Sequence, residues 1–173
     1  MIYLDMDGVL ADFIDGMFRL LNIEPYTLTS YDEILDVAGG RENFWKEING
    51  DRFFWDNLQE HHYARRLVST CFKLDEVYIL TASNNDNWKL IAGKIEWVKN
   101  HFSKLADKVI FKDAKWELAR SGDVLIDDCP QNIEDWNKIG KGILYPRSWN
   151  TRSCENNYYC YTKVIEQLRE IYD

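Results

Sequence analysis

Short apolar runs punctuate the chain: Ile2-Tyr3-Leu4, Val77-Tyr78-Ile79-Leu80, Val109-Ile110-Phe111, Val124-Leu125-Ile126 and Ile143-Leu144-Tyr145. Unbroken runs of this length, rich in β-branched and aromatic residues, suit strands buried on both faces, as in a parallel sheet. Helical spacing separates them. Trp88, Ile91, Ala92, Ile95, Val98 and Phe102 recur at threes and fours, with Asp86 placed as an N-cap. Ile133, Trp136 and Ile139 follow Pro130, a residue suited to a first helical turn. Val164, Ile165, Leu168, Ile171 and Tyr172 predict a final amphipathic helix, and residues 113–120 a short one. From residue 77 onward the order is β-α-β-α-β-α, an α/β Rossmann-like parallel sheet flanked by helices.

The first strand stands apart. Far more chain separates it from Val77 than one crossover helix needs. Phe13, Ile14, Met17, Phe18 and Leu21 predict one helix there, and Ala64, Leu67, Val68, Cys71 and Phe72 another. Turn signals at Gly39-Gly40 and Asn49-Gly50 divide what lies between. We therefore expect a small helical cap at 13–73, set on a catalytic core of 1–12 and 74–173. Residues 146–162 are polar and aromatic without period, which predicts a long loop.

Composition narrows the function classes. The chain has 173 residues, 46% hydrophobic and 29% charged, as expected of a globular domain. Its formal charge of -8 repels polyanions, and the only tight basic pair is Arg65-Arg66, so duplex nucleic acid is not the expected partner. No run approaches a membrane span, and no basic then apolar leader opens the chain. Cys71, Cys129, Cys154 and Cys160 show neither CxxC nor zinc spacing, so reduced thiols in a cytoplasm are expected, with Cys154 and Cys160 able to pair.

The chemistry is concentrated where strands end. Ligands of open parallel sheets bind beyond the carboxyl ends of the strands. The residues closing the runs are Asp5 and Asp7, then Thr81, then Asp127 and Asp128, with Lys112 and Lys115 following the remaining inner strand. Alone, each has an ordinary explanation as turn former, cap or solvated charge. Together, four carboxylates in one crevice demand a counter-charge, and a hard divalent cation with a lysine supplies it.

Asp5-Met6-Asp7-Gly8-Val9, Thr81, a lysine and Asp127-Asp128, in that order, resemble the haloacid-dehalogenase-like phosphotransferases. DMDGVLADF with LIDDCPQNIEDW resembles more closely the 5'(3')-deoxyribonucleotidase branch, which carries a small helical cap after its first motif. Phe53-Phe54-Trp55 before Asn57-Leu58, and Pro146 with Trp149-Asn150, agree with it. The resemblance implies that Asp5 is a nucleophile forming an aspartyl phosphate and that Asp7 is the general acid and base. It also implies that Thr81 binds the phosphoryl oxygens and that a lysine neutralises their charge. Lys115 is our choice for that lysine, and Lys112 is the alternative. Mg²⁺ would be held by the Asp5 carboxylate, the Asp7 carbonyl and Asp128, with Asp127 acting through water. The implied substrate is a nucleoside monophosphate, the competing one a sugar phosphate.

The cap stretch holds Tyr26, Tyr31, Phe44, Trp45, Phe53, Phe54 and Trp55. Most should form the cap's own core, with Phe44, Trp45 or Trp55 facing the crevice to stack on a base. His61, His62 and His101 lack ligand spacing and are expected to be packing or exposed residues. A receiver-like phosphoacceptor domain would share Asp, Thr and Lys. It would carry its acidic pair after the first strand, which is not the order found here.

Overall fold

In a computed structural model, residues 1–51, 53–84, 87–150 and 156–173 are described. The apolar runs form β1 (Ile2–Leu4), β2 (Val77–Thr81), β3 (Val109–Phe111), β4 (Val124–Asp127) and β5 (Lys141–Leu144). All pair in parallel in the order β3-β2-β1-β4-β5, so the first strand lies at the centre. The chain leaves β1 toward β2 and later returns to β1's other side as β4. That reversal opens a crevice at the carboxyl ends of β1 and β4.

Alternation along each strand feeds two unequal cores. Ile2, Leu4, Val77, Ile79, Val124 and Ile126 face the larger one. Tyr3, Leu80 and Leu125 face the smaller, with Ile133 and Trp136 of α6 (Pro130–Trp136). The larger core is covered by α4 (Ala64–Leu74), α5 (Trp88–His101) and α7 (Asn157–Tyr172), and it runs without a break into the cap.

The cap comprises α1 (Phe13–Leu20), α2 (Asp32–Val37) and α3 (Arg41–Gly50). Asp12 starts α1 by accepting the Asp15 amide at 3.2 Å. Phe13 is the hub of the cap's packing. Its ring meets Phe44, Phe54 and Trp55 at centroid distances of 6.0, 5.6 and 5.6 Å. The helix at Ala64–Leu74, expected in the cap, instead packs on β2 and α7 and so covers the sheet.

Other expectations shift for local reasons. α5 is capped by Asn87, whose side chain accepts from Lys89 and Leu90, while Asp86 lies outside the described residues. Its buried face is Leu90, Lys94, Trp97 and Val98, rotated from the expected stripe, and Trp88 is exposed. α6 stops at Trp136 and leaves Ile139 exposed. The predicted helix at 113–120 is a single 3₁₀ turn, Lys115–Leu118. The loop predicted at 146–162 is shorter, because Asn156 accepts the Tyr159 amide and starts α7, burying Cys160. Cys154 lies outside the described residues, and Cys71 and Cys129 are free thiols. Among the described residues no helix is long and apolar enough to cross a membrane.

Candidate active site

The parallel register sets the strand ends side by side. Leu4 pairs with both Ile79 and Ile126, so Asp5 emerges between the ends of β2 and β4. Its amide donates to the Ile126 carbonyl at 2.9 Å, which holds Asp5 against β4. Gly8 then turns the chain with φ at +77°, and a Cβ there would overlap the Asp128 carboxylate. Arg147, buried beyond β5, donates from Nε to the Gly8 carbonyl at 2.5 Å and stacks on Tyr145. The loop after β1 is therefore pinned from the far edge of the sheet.

Lys115 settles between two carboxylates. Its ammonium lies 2.7 Å from Asp5 Oδ1 and 2.7 Å from Asp127 Oδ2, with all three side chains nearly or fully buried. Burial opposes its charge, but Asp127 and Asp5 outweigh that and raise its pKa. Lys112 points elsewhere, pairing with Glu117 at 2.5 Å. Asp113 braces this edge by accepting the amides of Ser83 and Asn84 at 2.8 and 3.0 Å, which ties the segment after β3 to the segment after Thr81.

The acidic pair divides its work. Asp127 accepts from the Cys129 amide and the Asn132 side chain as well as from Lys115. Asp128 accepts from the Trp149 indole at 2.8 Å through Oδ2. Carboxylate oxygens of Asp5, Asp127 and Asp128 lie within 4.8 Å of one another. Burial, then the neighbouring Asp127 charge, pushes the Asp128 carboxyl up to about 7. Burial also raises Asp5 well above the ordinary carboxyl range, against the pull of Lys115. Such a cluster carries more negative charge than its lysine neutralises, and its hard oxygen donors fit Mg²⁺.

The site opens into a cavity of about 360 Å³ roofed by the cap. Asp5, Asp7, Gly8 and Asp128 lie on its floor, and Tyr31, Arg41 and Trp45 on its cap side. Of the aromatics expected at the crevice, Trp45 lines it. Phe44 and Trp55 are not among the lining residues, being buried and engaged with Phe13. The histidines stand outside: His101 meets Glu60, and His61 faces Asp12 at 3.9 Å.

Arg41, Asp113 and Arg147 were not singled out by the sequence pattern, and neither was a second buried ammonium of the site. Lys94, on α5, is 1% exposed and reaches Asp7 Oδ2 at 2.6 Å and Thr81 Oγ1 at 2.8 Å. Its signal was legible as a lysine four residues after Leu90 and three before Trp97, on an otherwise apolar stripe.

Five parallel strands with these groups at their carboxyl ends have the haloacid-dehalogenase-like fold. A solved hydrolase of that family from Streptococcus pneumoniae superposes with a TM-score of 0.56 at 12% identity, covering 98% of this chain and 96% of that one. The profile of 5' nucleotidase, deoxy (pyrimidine), cytosolic type C protein matches residues 1–159, and the chain belongs to that family. It is accordingly a phosphatase of the nucleotidase type, not a receiver domain. A search of curated proteins finds no match to the sequence.

Proposed function

We propose that the protein is a Mg²⁺-dependent phosphomonoesterase that acts on deoxynucleoside or nucleoside monophosphates through an aspartyl-phosphate intermediate. The observation that carries this reading is Asp5: a buried carboxylate held by Lys115 at the floor of a cavity whose opposite wall bears Trp45. The Asp5 carboxylate, the Asp7 carbonyl and Asp128 would hold the ion. Asp127, committed to three donors, would reach it through water. When bound, Mg²⁺ supplies charge neutralisation for the phosphoryl oxygens.

The remaining steps belong to the chain. Asp5 attacks phosphorus, and Asp7 gives a proton to the departing alkoxide. Asp7 then takes a proton from the water that cleaves the acyl phosphate. Thr81 and Lys115 donate to the phosphoryl oxygens as their charge moves. Trp45 stacks on the base, a contact that tolerates several bases. A cytoplasmic setting goes with the cytosolic type named for the family.

The test is phosphate release from a panel of nucleoside monophosphates and sugar phosphates, with Asp5→Asn as the control. Nucleotides should be preferred, activity should require Mg²⁺, and Asp5→Asn should lose activity by orders of magnitude because an amide forms no acyl phosphate. Sugar phosphates outrunning every nucleotide would replace the substrate assignment. Near wild-type turnover in Asp5→Asn would end the covalent mechanism.

A further inference from the structure

Asp128 is held from two sides by adjacent residues of the segment after β5. The Trp149 indole donates to its Oδ2 at 2.8 Å, and the Asn150 side chain donates to its backbone carbonyl at 2.6 Å. Asn150 also donates to the Tyr145 carbonyl at 2.9 Å and accepts the Arg147 amide at 2.9 Å, which fixes the shape of the segment itself. The Arg147 side chain in turn donates to the Gly8 carbonyl. One short stretch, 145–150, therefore ties the loop after β1 to the loop after β4.

These contacts leave the acidic cluster with few free oxygens. Oδ2 of Asp128 lies between the indole and Gly8, where a Cβ would overlap it. Oδ1 accepts from no donor among the described residues. Asp127 has both oxygens taken, Oδ1 by the Cys129 amide and Oδ2 by Lys115 and Asn132. Asp5 gives Oδ1 to Lys115. A carboxylate pinned through one oxygen presents the other alone, since turning both toward one ion would break the pin.

That restriction bears differently on different hard cations. Mg²⁺ takes about six oxygens in a near-ideal octahedron, whereas Ca²⁺ takes roughly six to eight and readily accepts both oxygens of one carboxylate. From this geometry we infer that Trp149 is a positioning residue that sets the preference of the site for Mg²⁺ over Ca²⁺, by holding Asp128 to a single free oxygen. The inference rests on the metal-dependent reading above. Trp149 also packs on the core and lines the cavity, so its ring has a structural role apart from its N–H. The two roles separate when the ring is kept and the donor removed.

Trp149→Phe makes that change. Dissociation constants for Mg²⁺ and Ca²⁺ are read from the rise of Tm with ion concentration in substrate-free protein, so no turnover is involved. Loss of a hydrogen bond behind a metal ligand typically weakens binding about 10–100-fold. We expect Mg²⁺ to bind Trp149→Phe about tenfold or more weaker, while Ca²⁺ binding holds or tightens as Asp128 gains its second oxygen. The preference for Mg²⁺ should thus fall at least about tenfold. Both constants come from the same variant, so a general loss of stability does not imitate the change. Trp149→His carries a ring nitrogen the same number of bonds from the backbone. It should regain most of the wild-type preference at about pH 8, where imidazole is neutral. An unchanged preference in Trp149→Phe, equal weakening of both ions, or a Trp149→His no better than Trp149→Phe would overturn the inference and leave the metal reading standing. A wild-type protein whose Tm responds to neither ion would overturn that reading, and the inference with it.

Discussion

Replacing Lys115 by methionine removes the cation between two buried carboxylates while keeping most of the side-chain volume. The distances of 2.7 Å to Asp5 and 2.7 Å to Asp127 mean that both lose their charged partner at once. Removing one partner of a buried ion pair costs about 3–5 kcal/mol, because the remaining charge is stranded. Relief is available here. Asp127 keeps the Cys129 amide and the Asn132 side chain, and Asp5, already raised by burial, can take a proton. We therefore expect a loss near the lower end, about 3 kcal/mol, in metal-free protein at neutral pH. The sign of its pH dependence follows from linkage. A carboxyl raised in the folded state binds protons more tightly than the unfolded chain, so the penalty grows as pH rises and shrinks on acidification. Urea unfolding followed by tryptophan fluorescence, at about pH 5 and about pH 8 with and without Mg²⁺, measures all of this. Mg²⁺ should restore part of the loss by binding only the native state. Lys112→Ala is the control. Its pair with Glu117 is substantially exposed and should change stability by no more than about 1 kcal/mol. A Lys115→Met midpoint equal to wild type at the higher pH, or a larger loss at Lys112, would refute the reasoning.

Trp45→Ala should raise KM for a nucleotide about tenfold, a loss of about 1.4 kcal/mol, and affect a small aryl phosphate less. Phe44→Ala should instead lower stability by about 3–5 kcal/mol, since that ring is fully buried at the centre of the cap. The reverse pattern in steady-state kinetics and urea unfolding would exchange their roles. In metal-free wild type, the raised Asp5 and Asp128 carboxyls make this cluster's contribution to stability fall as pH rises from the ordinary carboxyl range through about 7. Mg²⁺ must displace those protons, so its stabilising shift in Tm should grow across the same window. A Mg²⁺ shift in Tm that does not vary with pH would contradict that assignment.

The central strands were legible because burial on both faces leaves almost only apolar residues in β1, β2 and β4, and the residue that ends such a run necessarily lies at the carboxyl edge of the sheet. Asp5, Asp7, Thr81, Asp127 and Asp128 could therefore be gathered from the ends of the apolar runs alone. Their one-dimensional order also carried the family resemblance. Helix faces were less secure. The α5 stripe was displaced because periodicity counts apolar residues, and Lys94 is polar yet buried.

Sequence alone determined the parallel α/β plan and the chemical types at the strand ends, since each depends on local pattern and chain order. Tertiary structure decided what local pattern cannot hold. The choice of Lys115 over Lys112 turns on which ammonium reaches Asp5, a matter of where the 3₁₀ turn after β3 places its first side chain. Placing Phe44 and Trp55 inside the cap and Trp45 at the cavity depends on how Phe13 from a distant helix fills the space between them. Lys94 depends on it most. A buried ammonium is stable only where Asp7, Thr81 and Ala82, distant in sequence, converge on it, and that convergence exists only in the folded chain.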